Sequence, residues 1–109
     1  MNVEAFAGKA DLAVLCMPSP ERTVSGVYIG DLLSWVMGRA SADNAWITIM
    51  SNINTVAVAS LADVSCIILA EGVEPDAQIT DAAISKGINI LSSTLTAYEL
   101  AKKMAELAI

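Results

Sequence analysis

Three junctions, each directly after an apolar run, could hold a ligand, and the first and third of them are rich in small polar residues. Met50 is followed by Ser51-Asn52-Ile53-Asn54-Thr55, Ala70 by Glu71-Gly72, and Leu91 by Ser92-Ser93-Thr94. Hydroxyls, carboxamides and backbone amides at the start of a helix suit reversible binding of an anion or a nucleotide. The same residue types also serve as helix caps. In Ser51–Thr55, two asparagines and two hydroxyls exceed what a single cap uses. A secondary set, Arg22, Gly26 and Asp31, lies around the weak apolar run Gly26–Ile29. Gly26 and Gly30 bracket that run, marking either turns or a backbone approached by a ligand or another chain.

Covalent and acid–base chemistry finds little to work with. The chain has no histidine, so it lacks the usual general base near neutral pH, an imidazole ligand, and any Ser–His or Cys–His pair. An enzyme would have to use Asp31 or Glu71 as base, and no catalytic residue is expected. The one Gly-Lys pair, Gly8-Lys9, precedes Ala10, and Val3 stands where a phosphate loop needs its first glycine, so GxxxxGK[ST] is absent. GxGxxG is absent too. Glu71, Glu74, Asp76 and Asp81 read as a solvated helix start rather than a cation site, because hard cations need several oxygens converging on one point. Cys16 and Cys66 sit in apolar runs without a CxxC. They are expected to be reduced and buried, with no metal and no cofactor.

The elements that must position these residues follow from periodicity. Asp11–Cys16, Ala45–Met50, Ser65–Ala70 and Ile88–Leu91 are short and rich in apolar residues, and do not alternate strictly. They predict strands covered on both faces, with Gly26–Ile29 as a weaker fifth. Thr96-Ala97-Tyr98-Glu99 is a capping box, and Leu95 and Leu100 fall at staple positions. A helix is predicted over Ala97–Leu107, with Tyr98, Ala101, Met104 and Ala108 as its apolar stripe. A second helix is predicted from Pro75 to Lys86, closed by Gly87. Asp31–Met37, with Gly38 as its stop, and Met1–Ala7, with Gly8 after it, read as shorter helices. Asn54–Ala62 fits a strand or a helix by pattern, and helix keeps the alternation of strand and helix unbroken. Trp35 and Trp46 read as core or interface aromatics. The outcome is a single α/β domain over 1–109, a three-layer α/β/α sandwich on a mostly parallel sheet of four to five strands.

Composition narrows the partners. Of the 109 residues 55% are hydrophobic and only 17% charged, so a disordered chain is excluded. So apolar a small domain is expected to cover part of its surface with a partner, most simply a second copy. Six basic against twelve acidic residues, net −6, argue against nucleic-acid binding. No apolar run approaches the length of a membrane span. No basic cluster precedes an apolar run at the N-terminus, so a cytoplasmic location is expected.

The segment VSGVYIGDLLSWVMGRA at Val24–Ala40, followed by NINTVAVASLA and KGINILSSTLTAYELA, resembles the DRTGG-domain family. The resemblance runs from about Glu21 to Leu107. The pentapeptide that names the family is absent, and Glu21–Gly26 is the nearest stretch. The resemblance implies a domain related to the N-terminal domain of HPr kinase/phosphorylase, the neighbour of the kinase and not the kinase itself. Relatives are joined to CBS pairs in regulated pyrophosphatases or to phosphotransacetylases. Others are small stand-alone bacterial proteins, some encoded near iron-only hydrogenases. It also implies a regulatory or dimerising module. Either a small anionic or nucleotide ligand or a protein partner, such as a hydrogenase or metabolic enzyme, would give it its function.

Overall fold

The computed structural model describes residues 1–109. Strands are β1 (Ala13–Cys16), β2 (Val27–Ile29), β3 (Ala45–Thr48), β4 (Cys66–Leu69) and β5 (Asn89–Ser92). Helices are α1 (Val3–Lys9), α2 (Leu33–Arg39), α3 (Ile53–Ala62), α4 (Ile79–Lys86) and α5 (Ala97–Glu106). The sheet runs β1-β5-β4-β3-β2. β2 to β5 are parallel, and β1 is an antiparallel edge partner of β5 with an irregular step between Val14 and Cys16.

Alternating side chains of the central strands feed two separate cores. Ala45, Ile47, Cys66, Ile68 and Leu91 meet Val3 and Phe6 of α1 and Leu100 and Met104 of α5. Trp46, Ile67, Leu69 and Ile90 meet Val36 of α2, Val56 and Ala59 of α3, and Ile79 and Ala83 of α4. The sheet is thus buried on both faces, which is why its strands read as continuous apolar runs. The crossover helices α2, α3 and α4 share one face because parallel crossovers keep one hand as the strand order advances steadily from β2 to β5. All three polar clusters therefore lie at one edge of the sheet, beyond the carboxyl ends of β3, β4 and β5.

Several local expectations are met. Asn54–Ala62 is helical within α3, whose N-cap is Asn52. Thr96 and Glu99 form the reciprocal capping box. Gly87 closes α4 at φ 71°.

Other expectations are corrected. α4 starts at Ile79, not Pro75, because Val73–Gln78 carries the chain across the sheet edge before a helix can form. Gly8 and Gly38 lie inside α1 and α2 and do not stop them. The buried stripe of α5 is Leu100 and Met104, flanked by half-buried Ala97 and Leu107, whereas Tyr98 is 71% exposed. The staple Leu95–Leu100 rotates the helix so that Leu100 faces the sheet, and this turns Tyr98 outward. Trp46 is fully buried, but Trp35 is 52% exposed, stacked by the Arg39 guanidinium 3.6 Å from its ring centroid.

Candidate functional site

Three loops line the carboxyl edge, and hydrogen bonds join them into one rim. The β3–α3 loop meets the β4–α4 loop where Ser51 Oγ donates to the Glu74 carbonyl at 3.2 Å. The Asp76 amide donates to the Ser51 carbonyl at 3.1 Å. The β4–α4 loop meets the β5–α5 loop through the Gly72 amide to the Ser93 carbonyl at 2.9 Å and the Glu71 amide to the Leu95 carbonyl at 2.8 Å. Glu71 and Gly72 both adopt left-handed backbone, φ 59° and 67°, which turns the chain sharply out of β4. Glycine is the natural choice there, and Glu71 takes that conformation at some cost.

A cavity of about 320 Å³ opens between this strap and the sheet edge. Its lining is Gly72, Val73, Glu74 and Pro75 from the strap, Ser92, Ser93 and Thr94 from β5 and its loop, and Ala13 and Leu15 from β1. Four of the residues singled out in the sequence thus share one cavity: Gly72, Ser92, Ser93 and Thr94. Ala13 and Leu15 carry no polar signal and enter only because β1 returns antiparallel beside β5, a pairing that local pattern does not encode.

The other singled-out residues have different settings. Asn52 Oδ1 accepts from the Asn54 amide at 2.9 Å, so this carboxamide caps α3. Asn54 is exposed, and Thr55 is fully buried. Thr55 Oγ1 is the single buried side-chain polar atom without a partner. Asp31 lies at the end of β2, three strands from β5, or about 14 Å at ordinary strand spacing. Its carboxylate accepts from Thr48 Oγ1 at 2.9 Å and from the Ile49 amide at 3.0 Å, which fixes the exit of β3.

Arg22 and Gly26 lie at the opposite, amino edge of the sheet. Arg22 Nη2 donates to Asp43 Oδ1 at 2.8 Å and to the Asp63 carbonyl at 2.9 Å. Its Nη1 lies 3.1 Å from Asp63 Oδ1. Chiefly the hydrogen bond to Asp43, against the opposing effect of burial, holds the guanidinium's pKa above its usual value. Gly26 turns at φ +80°, and a Cβ there would stand 2.9 Å from Asn44 Nδ2, so any other residue would push that carboxamide aside.

Few side chains near the rim are poised for acid–base or covalent chemistry. Asp31 is spent on backbone and hydroxyl, and Glu71 is exposed. No group of three or more Cys, Asp or Glu side chains converges as a metal site. Both cysteines are buried. Burial pushes the Cys66 thiol up to about 12 and raises the Cys16 thiol as well, so neither is a ready nucleophile. No helix is long and apolar enough to cross a membrane.

The model of the DRTGG domain matches residues 7–107 of this chain. Among solved structures, the chain is similar to the CBS and DRTGG domains of the regulatory region of Clostridium perfringens pyrophosphatase, complexed with its activator diadenosine tetraphosphate. The identity is 11% and the TM-score 0.69, and the match covers 94% of this chain. This chain spans less than half of that structure, 45% of its length. No curated protein matches the chain.

Proposed function

This chain belongs to the DRTGG-domain family, and on that premise we propose that it is a non-catalytic regulatory module that senses a small nucleotide-type ligand at the carboxyl edge of its sheet. The observation that carries this reading is the rim itself. Three loops are tied together around an open cavity with hydroxyls on its wall and no catalytic constellation beside it. Open α/β sheets bind ligands at this edge. Support also comes from the similar structure, which is part of a regulatory region and was solved with a nucleotide activator.

The second half of the proposal is self-association. Ile29, Leu32, Trp35 and Met37 are 48–59% exposed around the β2 edge and α2. A second copy covering these residues would remove an apolar patch that a small monomer seldom leaves in water. A protein partner of another kind is the alternative occupant.

A thermal-shift screen against nucleosides, nucleotides and dinucleotides tests the sensing role. A ligand at 100 times its Kd adds about 2.7 kcal/mol of apparent stability, and a flat screen would leave the adaptor reading in its place. Sedimentation at high micromolar concentration tests the second half, with a dimer expected and a strict monomer contradicting it.

A further inference from the structure

We propose that the cavity between β1, the Gly72–Pro75 strap and the β5–α5 loop takes the nucleoside end of its ligand and not the phosphates; this rests on the sensing role above and names the chemistry of that same site. An anion would look for cations, and none of the chain's six Lys and Arg residues lines the cavity. Arg22 is tied to Asp43 and Asp63. Arg39 and Lys86 close α2 and α4, which run back to the amino edge. Lys9 closes α1, Lys102 sits over the Tyr98 ring, and Lys103 donates to the Ala10 carbonyl.

An anion without cations would need backbone amides, and in the strap and the β5–α5 loop only those of Glu74 and Thr94 are left without a partner, the first on the residue whose own carboxylate shares the wall. The amides of Glu71, Gly72, Val73, Asp76 and Ser93 all donate to carbonyls within the protein, and that of Leu95 donates to Ser93 Oγ. Pro75 has no amide to offer. The strap instead carries three carboxylates, Glu71, Glu74 and Asp76, and Glu74 is in the cavity wall. A phosphate placed there would meet like charge with no cation in the wall to offset it.

What remains in the wall fits the other end of a nucleotide. Glu74 accepts only, so it asks for N–H or O–H donors. The Ser92 and Thr94 hydroxyls donate and accept, while Ser93 Oγ already accepts from Leu95 and keeps its proton to give. Ala13, Leu15, Val73 and Pro75 give apolar surface for a flat ring. A volume of about 320 Å³ is at the small end of ligand pockets, suited to a base and sugar with any phosphates held outside.

Calorimetric titration of the full chain with adenosine, AMP and ATP, at low and high salt, decides the matter. Adenosine is expected to bind at least as tightly as AMP, with ATP weakest, and its affinity should change less than about twofold with salt. Glu74→Gln should weaken adenosine about tenfold, the loss of one hydrogen bond to a charged group, and narrow its advantage over ATP. ATP binding tightest, with affinity falling steeply as salt rises, would overturn the nucleoside assignment and leave the sensing role standing. So would adenosine binding unchanged in both Glu74→Gln and a cavity-filling Val73→Trp. No binding by any of the three would overturn the assignment and the sensing role together.

Discussion

The two edges of one sheet are finished differently. At the amino edge, side chains lock the loops. Arg22 forks onto Asp43 and Asp63. Asn89, fully buried at the start of β5, accepts from the Ser19 amide at 2.9 Å and donates to the Ser19 and Ser65 carbonyls at 2.7 and 3.0 Å. Ser65 Oγ donates to the Asn44 carbonyl at 3.0 Å. At the carboxyl edge the loops are joined mostly backbone to backbone. That edge also holds a left-handed glutamate, an open cavity and the unpartnered Thr55 hydroxyl. Left-handed backbone is not peculiar to that edge, since Asp43 and Asp63 adopt it at the amino edge too; what sets the carboxyl edge apart is the cavity and the orphan hydroxyl.

Substitutions that exchange or remove these contacts sharpen the contrast. The largest effect is expected from Asn89→Ala, which removes three hydrogen bonds, those to the Ser19 amide and to the Ser19 and Ser65 carbonyls, of which the Ser19 carbonyl keeps the Arg22 amide. Chemical denaturation should show a loss of about 3 kcal/mol, with ligand affinity of the residual folded protein unchanged. Arg22→Met should cost less, about 1 kcal/mol, since Asp63 is well exposed and water screens that half of the fork. Added salt should shrink the difference between Arg22→Met and the parent. At the carboxyl edge the sign should reverse. Thr55→Val removes a buried hydroxyl that has no partner and should raise stability by up to about 1 kcal/mol. A loss of similar size there would mean that the hydroxyl is satisfied in solution, and the contrast between edges would narrow.

Alkaline pH offers a smaller test of the core between the two edges. The Cys66 thiol is pushed from near 9 to about 12 by burial. Its contribution is fully present below the unfolded value and is lost as pH rises toward the folded one, because the unfolded chain then releases a proton that the folded chain keeps. Stability should therefore fall between about pH 9 and 12, and Cys66→Ala should flatten that slope while lowering stability overall. Native protein at neutral pH should leave both thiols unlabelled by a disulfide reagent.

Most of the framework was legible from local pattern. The apolar runs of β3, β4 and β5 and the Thr96 box state their elements directly, because burial on both faces and end-capping are short-range demands. The candidate site was legible in half. Polar residues after apolar runs marked Ser92–Thr94 and Gly72, and the structure places them in one cavity. Asp31 and Arg22 drew notice for their charge, yet each holds loops together at a distance from that cavity. Ala13 and Leu15 were invisible as site residues, since only the antiparallel return of β1 brings them there. Asn89 was missed as well. A lone carboxamide inside the apolar run Ile88–Leu91 is a usable signal, because a buried amide must find partners. The displaced start of α4 shares this cause: Pro75 suits a first helical turn, but the chain needs Val73–Gln78 to cross the rim.

On the proposed function, the carboxyl edge and not the amino edge receives the ligand. Amide chemical-shift mapping of the labelled protein titrated with adenosine tests it most directly. Graded shifts are expected at Gly72, Val73, Glu74 and Ser92–Thr94, with Arg22, Asn44 and Asn89 unmoved. Shifts concentrated at Arg22, Asn44 and Asn89, or none anywhere at millimolar adenosine, would contradict it.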